Sequence, residues 1–203
     1  AMYEEIARIP LIVRWPGMAP TASTSAELAS HIDLVPTFLE FFGRDVPPVL
    51  HGRSLLSRFR NPGETERDAV FIDFNRFEID HDGFGAFHPI RCVRDRRHKL
   101  SVNLLDTDEL YDLEADPLEM DNLIDDPAHA AARDRLHDLV LDWQGRTRDP
   151  LRGPHWARRS WRDVSASAWT GPTRPRPLDP GYMPHTLLYE TARPVTRDTY
   201  DKK

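Results

Sequence analysis

Two strand-like runs joined by a short polar turn constrain this chain more than any other feature. His88–Asp95 and His98–Leu104 flank the joint Asp95-Arg96-Arg97, a spacing that reads as an antiparallel hairpin. Ala69–Asn75 (AVFIDFN) is aromatic, β-branched and alternating, so it adds a strand before the pair. Glu109–Leu113 adds a short one after it. The result is an antiparallel sheet of about four strands with a face that needs cover. Cover follows in the sequence. Asp125-Asp126-Pro127 opens a helix with acid at its start and proline at its first position. It runs through Trp143, with Ala131, Leu136, Leu139, Val140 and Trp143 on one face and Gly145 as its expected end.

The segment before the sheet has another character. Pro10-Leu11-Ile12-Val13-Arg14-Trp15-Pro16-Gly17 is nearly continuous in apolar residues and reads as a strand buried on both sides. Ser30–Phe42 has helical spacing, with Asp33 as the expected N-cap, Pro36 at the third helical position and Gly43 just past the end. His51-Gly52-Arg53-Ser54-Leu55-Leu56 reads as a turn leading into one helical turn. The expected class is therefore α+β. A small antiparallel sheet is packed by a C-terminal helix, preceded by a strand and helix that suggest an α/β layer, and followed by a proline-rich arm. The expected divisions are 1–60, 61–149 and 150–203.

Charge and proline are uneven along the chain. Residues 106–142 carry 13 acidic and 2 basic side chains, whereas 143–203 carry 12 basic and 6 acidic. Such blocks either face each other or solvate different surfaces. Eight of the 18 prolines fall in 150–203, which also holds Trp156, Trp161 and Trp169. That aromatic content argues against simple disorder and for an arm lying on a larger surface. No apolar run approaches the roughly 18 residues of a membrane span, so no membrane partner is expected. A net charge of −6 argues against a nucleic-acid partner.

The chemical inventory is thin. There is no glycine-rich phosphate loop, HExxH pair or G-x-S-x-G elbow. Cys92, the single cysteine, sits mid-strand, alternates with Arg91 and reads as a buried structural thiol. His129 and His137 lie eight apart on the long helix and read as surface residues rather than metal ligands. The carboxylates of 106–126 match turn and cap usage better than a calcium loop.

Several runs, in order, resemble the sulfatase family. They are Arg8-Ile9-Pro10-Leu11-Ile12-Val13-Arg14-Trp15-Pro16-Gly17, His31-Ile32-Asp33-Leu34-Val35-Pro36-Thr37 and His51-Gly52-Arg53-Ser54-Leu55. Arg97-His98-Lys99-Leu100, Glu109-Leu110-Tyr111-Asp112-Leu113 and Asp121-Asn122-Leu123 continue the match. His88-Pro89-Ile90-Arg91 and Trp143-Gln144 with Asp149-Pro150 are most similar to the heparan N-sulfatase (sulfamidase) branch. The resemblance implies the C-terminal portion of an alkaline-phosphatase-like hydrolase, with 1–60 a β-strand and helix remnant of its α/β core. Its parent would use a formylglycine made in a C/S-x-P-x-R motif and a divalent cation, usually calcium. Cys92, followed by Val93-Arg94-Asp95, does not match that motif, and the cation ligands are expected before the start of this chain. No catalytic or metal-binding residue is therefore expected here, and the chain alone is expected to be inactive. The resemblance implies a sulfated small molecule or glycan as the parent's substrate. His88 and Arg91 lead as contacts to it, since a guanidinium suits an anionic sugar. Glu78 follows as a contact to sugar hydroxyls. A related phosphoryl or phosphonate hydrolase on the same scaffold is the alternative. So is a binding module for anionic polymers built on the basic-aromatic run His155–Arg162. The surface left by the missing core is expected to drive homodimerisation.

Overall fold

The computed structural model describes residues 2–19, 22–61, 67–76, 88–162, 186–188 and 193–195. Contacts divide the chain into one unit over 1–167 and another over 168–203. In the latter, β5 (Thr186–Leu188) and β6 (Arg193–Val195) pair antiparallel. None of the helices among the described residues is long and apolar enough to cross a membrane.

The first unit is organised by an antiparallel sheet in the order β1 (Val70–Arg76), β2 (His88–Arg94), β3 (His98–Asn103) and β4 (Glu109–Asp112). The β2–β3 turn is closed by Asp95, whose carboxylate accepts from the Arg97 and His98 N–H groups at 2.8 and 2.6 Å. Cys92 opposes Ser101 and Ile72, while Val93 opposes Leu100 and Phe71. Because side chains alternate, this register sorts them onto two faces. Val93, Leu100, Val102 and Leu110 form one core with Leu136, Val140 and Trp156. Ile90 and Cys92 form a smaller core with Met2, flanked by Ile72.

The first core is capped by α4 (Ala130–Arg146), entered through a short 3₁₀ turn at Pro127–His129. Asp126 accepts from the Ala128 N–H at 2.9 Å, so the acid-proline entry works as a cap. Gly145 does not end this helix. It lies inside the last turn, and the chain leaves after Arg146 through Arg148 at φ 54. Nor is His137 a surface residue. It is fully buried, because the helix turns its polar residues Arg133, His137 and Gln144 inward as well.

The second core is covered by the N-terminal segment, including α1 (Glu4–Ala7). Lys99 is buried there and forms an ion pair with the equally buried Glu119. It also lies 3.4 Å from Glu4, which in turn pairs with Arg94 at 3.2 Å. Glu119 accepts from the Glu4 backbone N–H at 2.6 Å.

A third nucleus precedes the sheet. A 3₁₀ turn over His31–Asp33 leads into α2 (Leu34–Phe41), with α3 (Leu56–Arg60) beside it. Pro36 occupies the third helical position as expected. Asp33 takes the N-cap position of α2 as expected, but its side chain does not bond into that helix. It reaches back to the Ser30 N–H at 2.8 Å, and Ser30 and Asp33 form a reciprocal capping box on the 3₁₀ turn. The same buried carboxylate accepts from the Arg53 N–H at 2.9 Å and from both arms of Arg67 at 2.6 and 2.9 Å. Thr37 accepts from the Leu55 N–H at 2.9 Å. Gly52 passes so close that a Cβ there would lie 1.9 Å from the Ile32 carbonyl oxygen.

The expected strand at 10–15 does not form. A ladder needs a neighbouring strand, and none of the described residues supplies one. Its apolar side chains are accordingly exposed, Ile12 to 90%.

Gly52→Ala is expected to lower stability by at least about 2 kcal/mol, since the blocking atoms are backbone and cannot swing aside. Urea unfolding measures it, and an unchanged midpoint would remove the close-approach reading.

Candidate functional site

The expected pocket residues lie on β2 and just before it. His88 and Arg91 are three apart on one strand, an odd spacing, so they project from opposite faces of the sheet. The structure therefore does not bring them together. Glu78 lies outside the described residues.

His88 stands half-buried at the start of β2, beside Phe74. Its Nε2 is 3.0 Å from the side-chain oxygen of Asn103. That oxygen also accepts from the Leu105 N–H at 3.2 Å, which fixes the orientation of the amide. In the neutral ring Nε2 then carries the proton and donates, and Nδ1 is left as an acceptor. Such a nitrogen can take a hydrogen bond from a sugar hydroxyl or amine.

Arg91 has another role. It is 2% exposed and meets Asp149 in a two-pronged pair at 2.6 and 3.0 Å. Its remaining directions go to Asn75 at 2.9 Å, the Ile90 carbonyl at 2.9 Å and the face of Trp156. Asp73 approaches to 3.5 Å and is itself half exposed. Burial pushes the Asp73 carboxyl up despite Arg91. For Asp149, burial is outweighed by the Arg91 bonds and the Leu151 N–H, so its carboxyl is held low. Arg91 thus clamps the end of β1, the stretch after α4 and Trp156 to β2.

Sequence reasoning missed Asn103, which orients His88, and Asp149 as the partner of Arg91. The parity of the 88-to-91 spacing was a signal for the opposite-face placement.

In the basic-aromatic run at 155–162 the tryptophans, Arg159 and Arg162 turn inward, while His155 and Arg158 stay exposed. Trp156, in the short helix α5 (Pro154–Ala157), is fully buried in the first core. Arg159 pairs with Asp108 at 2.7 Å and Arg162 with Asp138 at 2.6 Å. These side chains are spent on their own protein, which disfavours the polymer-binding reading. Of the alternatives for the charge blocks, mutual pairing is what these two arginines display.

The cation and formylglycine that the resemblance implies do not fit the residues in view. Among the described residues no three His, Cys, Asp or Glu side chains gather to hold a metal ion. Cys92 is walled in, and burial pushes its thiol up to about 11, against the Ser101 hydrogen bond and the Lys99 charge.

A family profile described as N-sulphoglucosamine sulphohydrolase, C-terminal, matches residues 1–146. Among curated proteins, an uncharacterized sulfatase of Escherichia coli, YidJ, is 43% identical over 196 residues, covering 96% of this chain and 37% of the relative. An N-acetylglucosamine-6-O-sulfatase of Bacteroides thetaiotaomicron is 33% identical over 153 residues, covering 73% of this chain and 27% of the relative. The chain thus spans about a third of the length of these relatives. A solved structure of a protein in complex with its substrate D-glucosamine-2-N,6-O-disulfate superposes with a TM-score of 0.66 at 32% identity, covering 73% of this chain and 30% of that one.

Arg91→Leu is expected to cost about 3–5 kcal/mol, because it leaves Asp149 charged and buried without its partner. His88→Ala should cost no more than about 1 kcal/mol, the worth of one hydrogen bond. Equal effects in chemical denaturation would contradict this division of labour.

Proposed function

The chain belongs to the sulfatase family of alkaline-phosphatase-like hydrolases as a C-terminal domain, and we propose that it completes the fold and part of the substrate pocket of an enzyme acting on a sulfated amino sugar. The observation that carries this reading is the apolar surface before the sheet. Val35, Phe38, Phe41 and Phe42 line an exposed stripe of α2, with Phe42 70% exposed, and Ile9, Leu11 and Ile12 stand exposed on the unpaired run. A monomeric surface rarely leaves this much apolar area in water. A run apolar on both sides suits insertion beside a strand of an α/β sheet, with α2 covering that sheet's face. The partner is the α/β portion that makes up the rest of the longer relatives. The nucleophile and the cation ligands are assigned to that portion.

His88 is the proposed contact to the sugar. Its accepting Nδ1 suits a hydroxyl or amine of a sulfated glucosamine, the substrate class of the superposed structure. Glu78 is proposed as a second contact to hydroxyls. Arg91 serves at one remove, by holding Asn75 at the end of β1.

Three outcomes follow. The 203-residue chain alone should not turn over an aryl sulfate, and measurable turnover would overturn the assignment of the nucleophile elsewhere. In a whole sulfatase carrying this domain, His88→Ala should raise KM for a sulfated glucosamine about tenfold, the worth of one hydrogen bond to the substrate, with a smaller effect on kcat. An unchanged KM would remove His88 from the pocket. The isolated chain should self-associate through the α2 stripe, giving a concentration-dependent mass by light scattering that Phe38→Glu abolishes. A monomer at every concentration would contradict the exposed-face reading.

A further inference from the structure

Residues 154–162 are held by two sets of contacts that respond differently to protons. Trp156 is fully buried, its indole N–H donates to the Leu151 carbonyl at 3.0 Å, and the Arg91 guanidinium lies 5.2 Å from its ring. Neither an indole nor a guanidinium titrates in the ordinary range. Beyond it, Arg159–Arg162 depends on carboxylates and on one imidazole. Arg159 donates to Asp108 at 2.7 and 2.8 Å and to the Asn103 carbonyl at 3.0 Å. The Trp161 indole N–H donates to Asp108 at 2.8 Å. Arg162 donates to Asp138 at 2.6 Å, and its other arm lies 2.6 Å from Nδ1 of His137.

The protonation of His137 follows from its neighbours. A guanidinium only donates, so Nδ1 must offer a lone pair to Arg162. The Trp156 carbonyl, 2.7 Å from Nε2, only accepts, so Nε2 must carry the hydrogen. The ring is neutral and both nitrogens are engaged. The charged groups around it are Arg133 and Asp138 from α4, Arg159 and Arg162 from the segment, and Asp108 before β4. Arg133 lies 4.8 Å from the Trp161 ring, which meets His137 edge-on at 5.0 Å. A proton on Nδ1 would abolish the acceptor for Arg162 and set two cations against each other. The Nε2 bond to Trp156 would survive.

The geometry points to an acid-sensitive latch: Arg159–Arg162 is docked while His137 is neutral and released when Nδ1 takes a proton, with Trp156 seated in both states. The sign is fixed by linkage. Burial first, then the Arg162 and Arg159 charges, hold the His137 imidazole down to about 4 against the Trp156 carbonyl and Asp138. Release removes the Arg162 and Arg159 charges and part of the burial, so the imidazole moves back toward its ordinary value of about 6.5 and binds the proton more tightly than in the docked state. Docking is therefore complete above that value and weakens as pH falls toward about 4.

Amide hydrogen exchange on the 203-residue chain at about pH 7.5 and about pH 4.5, corrected for intrinsic rates, tests this. Protection of the Arg162 amide, which donates to the Arg159 carbonyl at 3.2 Å, should fall at least about tenfold on acidification, with the β3 amides unchanged. His137→Gln, whose amide can both donate and accept, should keep its protection at both pH values. That variant separates the imidazole from the carboxylates Asp108 and Asp138. Equal protection of the native chain at both pH values would overturn the latch. So would loss in the glutamine variant, or loss from β3 in step with the Arg162 amide. Should the variant fail to fold, the imidazole resonances of the native chain decide. A midpoint well below about 6.5 accompanied by a shift at Arg162 supports the latch, and a midpoint at or above it overturns it.

Discussion

The structure depends on a sheet whose strands β2, β3 and β4 are buried on both faces. An antiparallel sheet can leave one side to water, and then its polar alternates need no partners. Here α4 and Trp156 close one side and the N-terminal segment closes the other. Arg91 and Lys99 are consequently taken out of water, and each must find carboxylates inside. Those carboxylates come from distant parts of the chain: Asp149 for Arg91, Glu119 and Glu4 for Lys99. Two-sided burial thus recruits both the N-terminal residues and the stretch after α4 into one unit. Removing either member of such a pair costs more than the pair contributes, because a lone charge stays behind.

Much of this frame is legible in the sequence because period and punctuation agree. The hairpin, β1, β4 and the acid-proline entry to α4 all obey local rules, and the hairpin turn carries Asp95 where an Asx turn wants it. What local rules do not reveal is which neighbour is present. The run at 10–15 has the composition of a buried strand but no ladder to join. The inward turn of His137 depends on Trp156 and Arg162, which arrive from 19 and 25 residues away. The site shows the same division. The parity of His88 and Arg91 was readable, whereas the Asn103 amide that orients His88 follows only from the β2–β3 register.

The motif residues of the N-terminal part also gain a physical meaning. Asp33 gathers two backbone N–H groups and a guanidinium on one buried carboxylate. Gly52 lets the chain pass against the Ile32 carbonyl. Together they hold α2 firm while its phenylalanine stripe faces outward. A rigid helix with an exposed apolar face is a docking element, pre-ordered so that association costs little conformational entropy. The acidic and basic blocks, conversely, meet within the unit where Arg159 and Arg162 find Asp108 and Asp138.

Cys92 has a use that follows from its seclusion. It lies beneath Met2 on a central strand, and its thiol ionises only with difficulty. A chemical label can reach it only when the N-terminal segment lifts or the sheet opens. As the chain's single sulfhydryl, it makes the protein its own stopwatch: the rate at which an alkylating reagent consumes it counts those openings one by one.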